Sequence, residues 1–496
     1  MKKYVYRFLG AVQLLVILGL SACKKPETPA FVPTAQPPTT GSFDINTIKD
    51  TYPEVAPLAS YRSWASYNVH DPAIIRDGDY YYCYSTDVGY GISDAVLTPG
   101  LQVRRSKDLI QWEYVGWVFS TPPAMGTALI RQGGGVPNRL LWAPYVIKVN
   151  NEYRLYYSLG SNVFKLSVIG LATASSPLGP WTERGVVVSS SNLPNTPVTN
   201  AIDPTVIIDQ QGQHRLYYGS AFDGIYTLML DPATGLAQTP GQRGQRIAQR
   251  GFAGNTINGN IEGPEVIYNS DQKKYYLFIS YDWLFTKYNV RVGRSASAAG
   301  PFLDYNGRDI NLTEDHGPMI LAPYQFAGHS GWQGTAHCGV FENNGQFFMV
   351  HQGRPGIDAF YMDLHVRKVF WTPDGWPVVS PERYAGEDNT PSPQADLVGD
   401  WEQIKLNYRV TPGFGNEQTN PDFQVSTPLT LAANGTFNGN AANTWTYAAP
   451  WLEMRYSNGT VDKLYVQKGR DWENRKPTIV FTGLNGAGVA MWGKKK

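Results

Sequence analysis

Three carboxylates recur at matched places in this chain. Asp71, Asp203 and Glu262 each stand just ahead of two or three apolar residues, a polar turn and an aromatic-rich strand. The stretches are HDPAIIRDGDYYYCYS from His70, IDPTVIIDQQGQHRLYYGS from Ile202 and IEGPEVIYNSDQKKYYLFIS from Ile261. Two more stretches keep the pattern without the acid: WAPYVIKVNNEYRLYYS from Trp142, and AHCGVFENNGQFFMVHQG from Ala336, where His337 takes the equivalent place. For one Asp-Pro the plain reading is structural, because proline fixes the backbone at a strand start and the acid orders the turn. Three in register point to convergence on one axis, where unpaired carboxylates are costly unless function retains them. Two carboxyl groups with separated pKa values can hydrolyse a glycosidic bond, one protonating the leaving oxygen and one activating water or attacking. A third can keep the proton donor protonated by like-charge repulsion.

The elements that position these acids are β-strands. Each repeat alternates on a two-residue period around a turn such as Asp77-Gly78-Asp79, Asn150-Asn151 or Gln211-Gly212, the mark of a hairpin. The repeats follow one another at roughly 60 to 75 residues, a spacing typical of propeller blades or solenoid units. No sustained helical period appears beyond the N-terminal segment. The expectation is an all-β chain, with a five-bladed β-propeller over 51–390 followed by a small C-terminal β-barrel or sandwich over 397–496. Two packed sandwiches are the alternative fold, but they leave the matched positions unexplained. The C-terminal part carries Trp401, Trp445, Trp451 and Trp472 and hairpin signals at Asn434-Gly435 and Asn458-Gly459. It shows no catalytic constellation and reads as a packing module, with polysaccharide contact as the alternative.

Composition narrows the partners. A formal net charge of +1 gives no electrostatic case for nucleic acid. The 31 Tyr and 14 Trp suit β-structure and flat, hydroxyl-rich ligands. At the N-terminus, Lys2, Lys3 and Arg7 precede a short apolar run from Phe8 to Leu20, which reads as a signal peptide over 1–22. Leu20-Ser21-Ala22-Cys23 looks like a bacterial lipobox, which implies acylation of Cys23 and a lipid anchor, with the outer membrane as the expected location. An ordinary secretory signal is the alternative. Residues 23–50 begin with a proline-rich, aperiodic run and read as a tether. Cys83 and Cys338 lie in different repeats and read as free, buried thiols.

The chain resembles glycoside hydrolase family 43, and within it the two-domain extracellular endo-1,5-α-L-arabinanase type. The residues that carry the likeness are His70-Asp71-Pro72, Leu141-Trp142-Ala143-Pro144, Asn200-Ala201-Ile202-Asp203-Pro204 and Ile261-Glu262-Gly263-Pro264-Glu265. Tyr288 to Ser295 and Asp374 to Arg383 extend it, and it reaches Trp492-Gly493-Lys494-Lys495 at the C-terminus. The resemblance implies Asp71 as general base, Glu262 as general acid and Asp203 as the residue that orients the acid and raises its pKa. It also implies inversion at the anomeric carbon and arabinan or arabino-oligosaccharides as substrate; a monomer is the expected state.

Further site residues follow from the same likeness. Ser220 and Phe222 stand where relatives have sugar contacts, Phe222 in place of a tryptophan. Trp142 and Tyr145 admit two readings, a sugar-stacking platform or packing between blades. Tyr145 stands where many relatives have an acid. By residue type alone His337 reads as a hydrogen-bonded structural histidine. The family likeness makes it the protein ligand of a cation, calcium, whose shell waters complete. His351, in the outgoing strand of the same repeat, is the other histidine, with an orienting role.

Competing functions are an exo-acting α-L-arabinofuranosidase or β-xylosidase of the same fold and, in a different class, a non-catalytic glycan-binding lipoprotein. A retaining, fructan-type hydrolase would need a nucleophile motif that is not found. The loops Gly254 to Asn260 and Ala322 to Trp332 are where a block creating exo action is expected.

Overall fold

The computed structural model describes residues 43–91, 97–190, 199–250, 252–253, 256–257, 260–408 and 419–496. The segment read as a signal peptide, Cys23, the proline-rich stretch and most of Gly254 to Asn260 lie outside the described residues. Among the described residues no helix is long and apolar enough to cross a membrane.

The aromatic, two-period stretches form antiparallel sheets, each in chain order. The first holds Ala73–Asp77, Tyr80–Ser85, Gln102–Ser106 and Glu113–Trp117. The second holds Trp142–Val149, Glu152–Leu159, Val168–Ala174 and Thr182–Ser189. Thr205–Ile208, His214–Tyr218, Ile225–Leu230 and Gln245–Ala248 make the third. Ile261–Asn269, Lys274–Tyr281, Asn289–Ser295 and Met319–Leu321 make the fourth. The first hairpin pairs Asp77 with Tyr80, and Gly78 supplies the positive φ of 55° that its turn requires.

The fifth repeat departs from the expected set of five like blades. Its strands Gly339–Asn343, Gln346–Pro355, Asp363–Trp371 and Pro377–Val379 pair antiparallel. They do not stand alone, however. Pro355 and Arg354 also pair with Trp332 and Gln333, Tyr324 pairs with Trp332, and Tyr324–Gln325 pairs in parallel with Gln424–Val425. The result is four separate four-stranded sheets and one seven-stranded sheet. The first strands of the five repeats touch in cyclic order, giving a propeller-like arrangement. Because Ala322 to Trp332 is drawn into this sheet, it is a tied hairpin and not a free loop over a cleft.

Gly399–Leu406 through Ala490–Lys495 close into an eight-stranded barrel. Trp401, Phe437, Trp445, Leu452, Phe481 and Met491 fill it, so two of the four tryptophans noted in the sequence are core. Trp472 sits at the junction, where its indole N–H donates to the Arg383 carbonyl at 2.8 Å. Residues 43–50, read as tether, are tied to the folded part by side-chain pairs, though none of them is buried. Asp50 pairs with His329 at 2.9 Å and Arg383 at 3.0 Å, and Asn46 accepts from Arg470. The proline-rich composition ends before Phe43, and the apolar and charged residues after it find partners.

One α-helix is present among the described residues, Ala124–Gln132. Pro123 precedes it and Gly133 follows it, start and stop residues that the sequence reading passed over. Only Gly126 and Ile130 are buried, so no helical stripe stood out against the strands around it.

Candidate active site

The acids are presented by unusual backbone. Asp71, Asp203 and His337 all have positive φ, at 52°, 59° and 50°. Non-glycine residues rarely occupy this region, and each instance costs on the order of 1–3 kcal/mol. In the fourth repeat Gly263 takes that conformation, with φ 56°, so Glu262 stands one residue earlier than the two aspartates. Matching Glu262 directly to Asp71 and Asp203 therefore misplaces it by one position. The register shifts between Glu262 and Glu265, a bulge that re-aims the side chain. A Cβ at position 263 would lie 3.0 Å from His337 Nδ1. Glycine there leaves room for the imidazole.

Asp71, Asp203, Glu262 and His337 line one cavity of about 750 Å³, together with His70, Thr86, Asp87, Trp142, Ser220 and Arg354. Asp71 Oδ2 accepts from the Thr86 hydroxyl at 2.6 Å. His70 Nδ1 lies 2.7 Å from Oδ2 and His337 Nδ1 2.9 Å from Oδ1. Neither imidazole contact has the alignment of a hydrogen bond. Burial alone raises the pKa of Asp71, but His337 and then His70 outweigh it and hold the carboxyl well below its ordinary range. His337 responds in kind. Burial pulls it down, yet Asp71 and Asp203 hold it up to about 9.

Asp203 is the opposite case. Its backbone N–H donates to Ser158 Oγ at 3.1 Å, and Oδ2 accepts from the Gly263 N–H at 3.2 Å. Burial pushes its pKa well above the ordinary carboxylate range, against the pull of His337 and with help from the charges of Glu262 and Asp71. Glu262 is held at both oxygens, by the Ser220 hydroxyl at 2.7 Å and the Tyr288 hydroxyl at 2.7 Å. One cavity thus carries a carboxyl held ionised, Asp71, and another, Asp203, pushed towards its protonated form. That is the charge asymmetry that acid/base hydrolysis needs.

The residues singled out in the sequence divide. Trp142 lines the cavity, and it also packs, since a Cβ on Gly160 would fall 2.6 Å from its ring. Tyr145 does not join it. A bulge between Trp142 and Tyr145 sends Tyr145 to a smaller cavity behind the acids, so the two rings cannot form one platform. Phe222 is also outside the cavity lining; its ring meets Phe164 edge-on at 4.9 Å, under the Lys165 ammonium at 4.7 Å. Ser220 touches Glu262 itself. His351 is fully buried, accepting from Arg367 Nε at 3.0 Å; its neighbour Gln352, not His351, accepts from the Asp71 N–H at 3.3 Å. Thr86 and Tyr288 escaped sequence reasoning. Tyr288 opened a quoted motif, but nothing local marked its hydroxyl as the partner of an acid more than twenty residues away. Cys83 and Cys338 are free and buried.

The smaller cavity, about 110 Å³, is lined by Asp71, Tyr145, Thr205, Glu265 and His337. Burial pushes Glu265 up to about 8, against hydrogen bonds from the Val340 N–H and the Thr205 hydroxyl. Several oxygen donors beside one imidazole, in a space for about three waters at roughly 30 Å³ each, fit a hydrated hard cation. Among the described residues the tight cluster of three metal-type ligands lies elsewhere, at Glu382, Asp471 and Glu473, and the Lys494 ammonium fills it.

Comparison with known proteins agrees with this geometry. The extracellular endo-α-(1→5)-L-arabinanase of Thermotoga petrophila is 28% identical over 471 residues, covering 86% of this chain and 93% of its own. The extracellular exo-α-(1→5)-L-arabinofuranosidase of Cellvibrio japonicus is 29% identical over 326 residues, covering 63% of this chain and 86% of its own. The crystal structure of the endo-1,5-α-L-arabinanase from Thermotoga petrophila matches with a TM-score of 0.73 at 26% identity, over 87% of this chain and 98% of that one. Residues 381–493 match a C-terminal lipocalin-like domain. Residues 65–377, which contain all three carboxylates and His337, match the glycosyl hydrolases of family 43, and the chain belongs to that family.

Proposed function

We propose that this chain is an endo-acting hydrolase of α-1,5-L-arabinofuranosidic linkages in arabinan, working by inversion. The observation that carries the chemistry is the opposed charge state within one cavity, Asp71 held ionised and Asp203 pushed towards its protonated form. Asp71 acts as general base on a water. Glu262, gripped by Ser220 and Tyr288, protonates the leaving oxygen. Asp203 keeps a proton available to that side by like charge and fixes Gly263 behind the acid. Endo action is favoured because the endo-acting relative corresponds over both domains, whereas the exo-acting one spans 63% of this chain.

We read Gly339–Asn343 through Pro377–Val379 as the fifth blade. We also assign a cation, calcium, to the smaller cavity, held by His337 and, through waters, by Glu265 and Asp71. When bound it supplies positive charge beneath the acids. Chelation is expected to lower activity while the sheets stay folded. The working form is a monomer, anchored by acylation of Cys23, probed by lipid labelling of C23S, at the outer membrane.

The decisive test is digestion of debranched arabinan with product sizing and proton NMR. Early oligosaccharides and initial release of the β-anomer are expected. Release of arabinose alone from the outset would mark an exo enzyme, and an initial α-anomer would require a covalent intermediate.

A further inference from the structure

Phe360 is 59% exposed and Ile357 69% exposed, beside a cavity whose other apolar walls are buried or half-buried. Exposed rings on a loose loop would carry little meaning. This ring is held. Asp358 Oδ1 accepts from the Phe360 N–H at 2.8 Å, and Asp358 Oδ2 accepts from the Tyr90 hydroxyl at 3.0 Å. Tyr90 stacks on Tyr361 at 4.1 Å with 3° between the planes, and Tyr361 meets Tyr52 edge-on at 5.0 Å. Beneath, Arg354 donates to the Ala359 carbonyl.

The ring also has a backing. Phe285 meets Phe360 edge-on at 5.7 Å, and the Arg354 guanidinium lies 4.5 Å from the centre of the Phe285 ring. Phe285 and Phe360 both line the cavity. They come from the connection after the second strand of the fourth sheet and from the fifth repeat. Trp142 comes from the second sheet, whose ring neighbours are the first and third. The two aromatic walls therefore face each other across the carboxylates.

We propose that Phe360 is a stacking platform for a pentofuranose ring, forming a substrate subsite across the cavity from Trp142. This rests on the arabinan reading above. A furanose presents C–H groups on one face and hydroxyls at its rim. A rigid, uncharged ring with solvent on one side suits the first and leaves the second hydrated. Because the strap is ordered by its own hydrogen bonds and stacks, little ordering entropy is lost when sugar lands on it. Phe360 lines the cavity, and the ring it meets is Phe285, not a hydrogen-bond partner of the carboxylates. Its contribution is to hold chain, so it appears in KM and in the dependence on chain length, not in the chemical step.

The test is kcat/KM on a ladder from arabinobiose to arabinohexaose for wild type, F360A and F360W. For F360A one step of the wild-type ladder is expected to flatten by about tenfold, through KM with kcat kept, while the remaining steps are unchanged; F360W restores it. A ladder for F360A that runs parallel to wild type overturns the proposal, whether it coincides or is lowered uniformly, the latter meaning a structural role. A wild type inert on the whole ladder overturns the arabinan reading and this subsite with it.

Discussion

Two places in this molecule gather three carboxylates around a buried cation, and they have opposite characters. At the junction of propeller and barrel, Lys494 Nζ lies 3.1 Å from Glu382, 3.0 Å from Asp471 and 2.6 Å from Glu473. Burial pulls the lysine down, yet the carboxylates hold its pKa well up. At the floor of the main cavity, Asp71, Asp203 and Glu262 share His337, whose charge can be given up. The junction is closed by an ammonium that does not titrate near neutral pH. The cavity floor opens on about 750 Å³ and presents Asp71 and Asp203 on left-handed backbone. Carboxylate clustering alone therefore does not mark an active site. A titratable counter-ion, strained presentation and space for a ligand do.

The largest expected effect breaks the cavity side. D71A and E262A should each lower turnover of arabinan by about 10²–10⁴-fold, the usual worth of a positioned acid or base. With an activated aryl leaving group that needs little protonation, E262A should recover much of its rate and D71A should not. Equal losses on both substrates would undo the assignment of base and acid.

The junction should break differently. K494M removes the cation and leaves buried carboxylates facing one another, a change expected to cost about 3–5 kcal/mol of stability. Activity per folded molecule should be unchanged, because none of the junction residues borders the cavity. Denaturant unfolding read beside kcat separates the two. If K494M instead lowers kcat with stability intact, the junction is coupled to the site.

The sequence made the strands, the two-part division and the carboxylates legible because each rests on local pattern: two-residue alternation, a composition change, and a residue type repeated in register. It made the one-residue offset of Glu262 invisible, since a bulge is a matter of strand pairing. Of the two readings left open for Trp142 and Tyr145, the shared platform is ruled against by a feature of the same kind, the register shift between them. The merging of the fifth repeat with Gln424–Val425 depends on contacts between distant segments, which no local period encodes. Thr86 and Tyr288 are single hydroxyls just beyond the ends of strands, and only the fold brings them to their acids.

The smallest effect tests whether the cavity floor behaves as a shared-proton cluster. In the wild type, ionising both Glu262 and Asp203 sets two negative charges in one buried site, so the last proton leaves only at raised pH. D203N removes one of those charges. Glu262 should then lose its proton sooner, and the basic limb of the pH–rate profile should move to lower pH by about one unit. Stability should move the other way. The folded pKa of Asp203 is raised above its ordinary 3.8, so its contribution is fully present below about pH 3.8 and is lost as pH rises through the folded value. An asparagine loses nothing over that window, so D203N should gain on the wild type in thermal stability between about pH 4 and neutral pH. A limb that stays in place while activity falls at every pH would leave Asp203 as a positioning residue for Gly263 and Glu262. A limb that moves without the stability crossover would mean that the extra proton sits on Glu262 and not on Asp203.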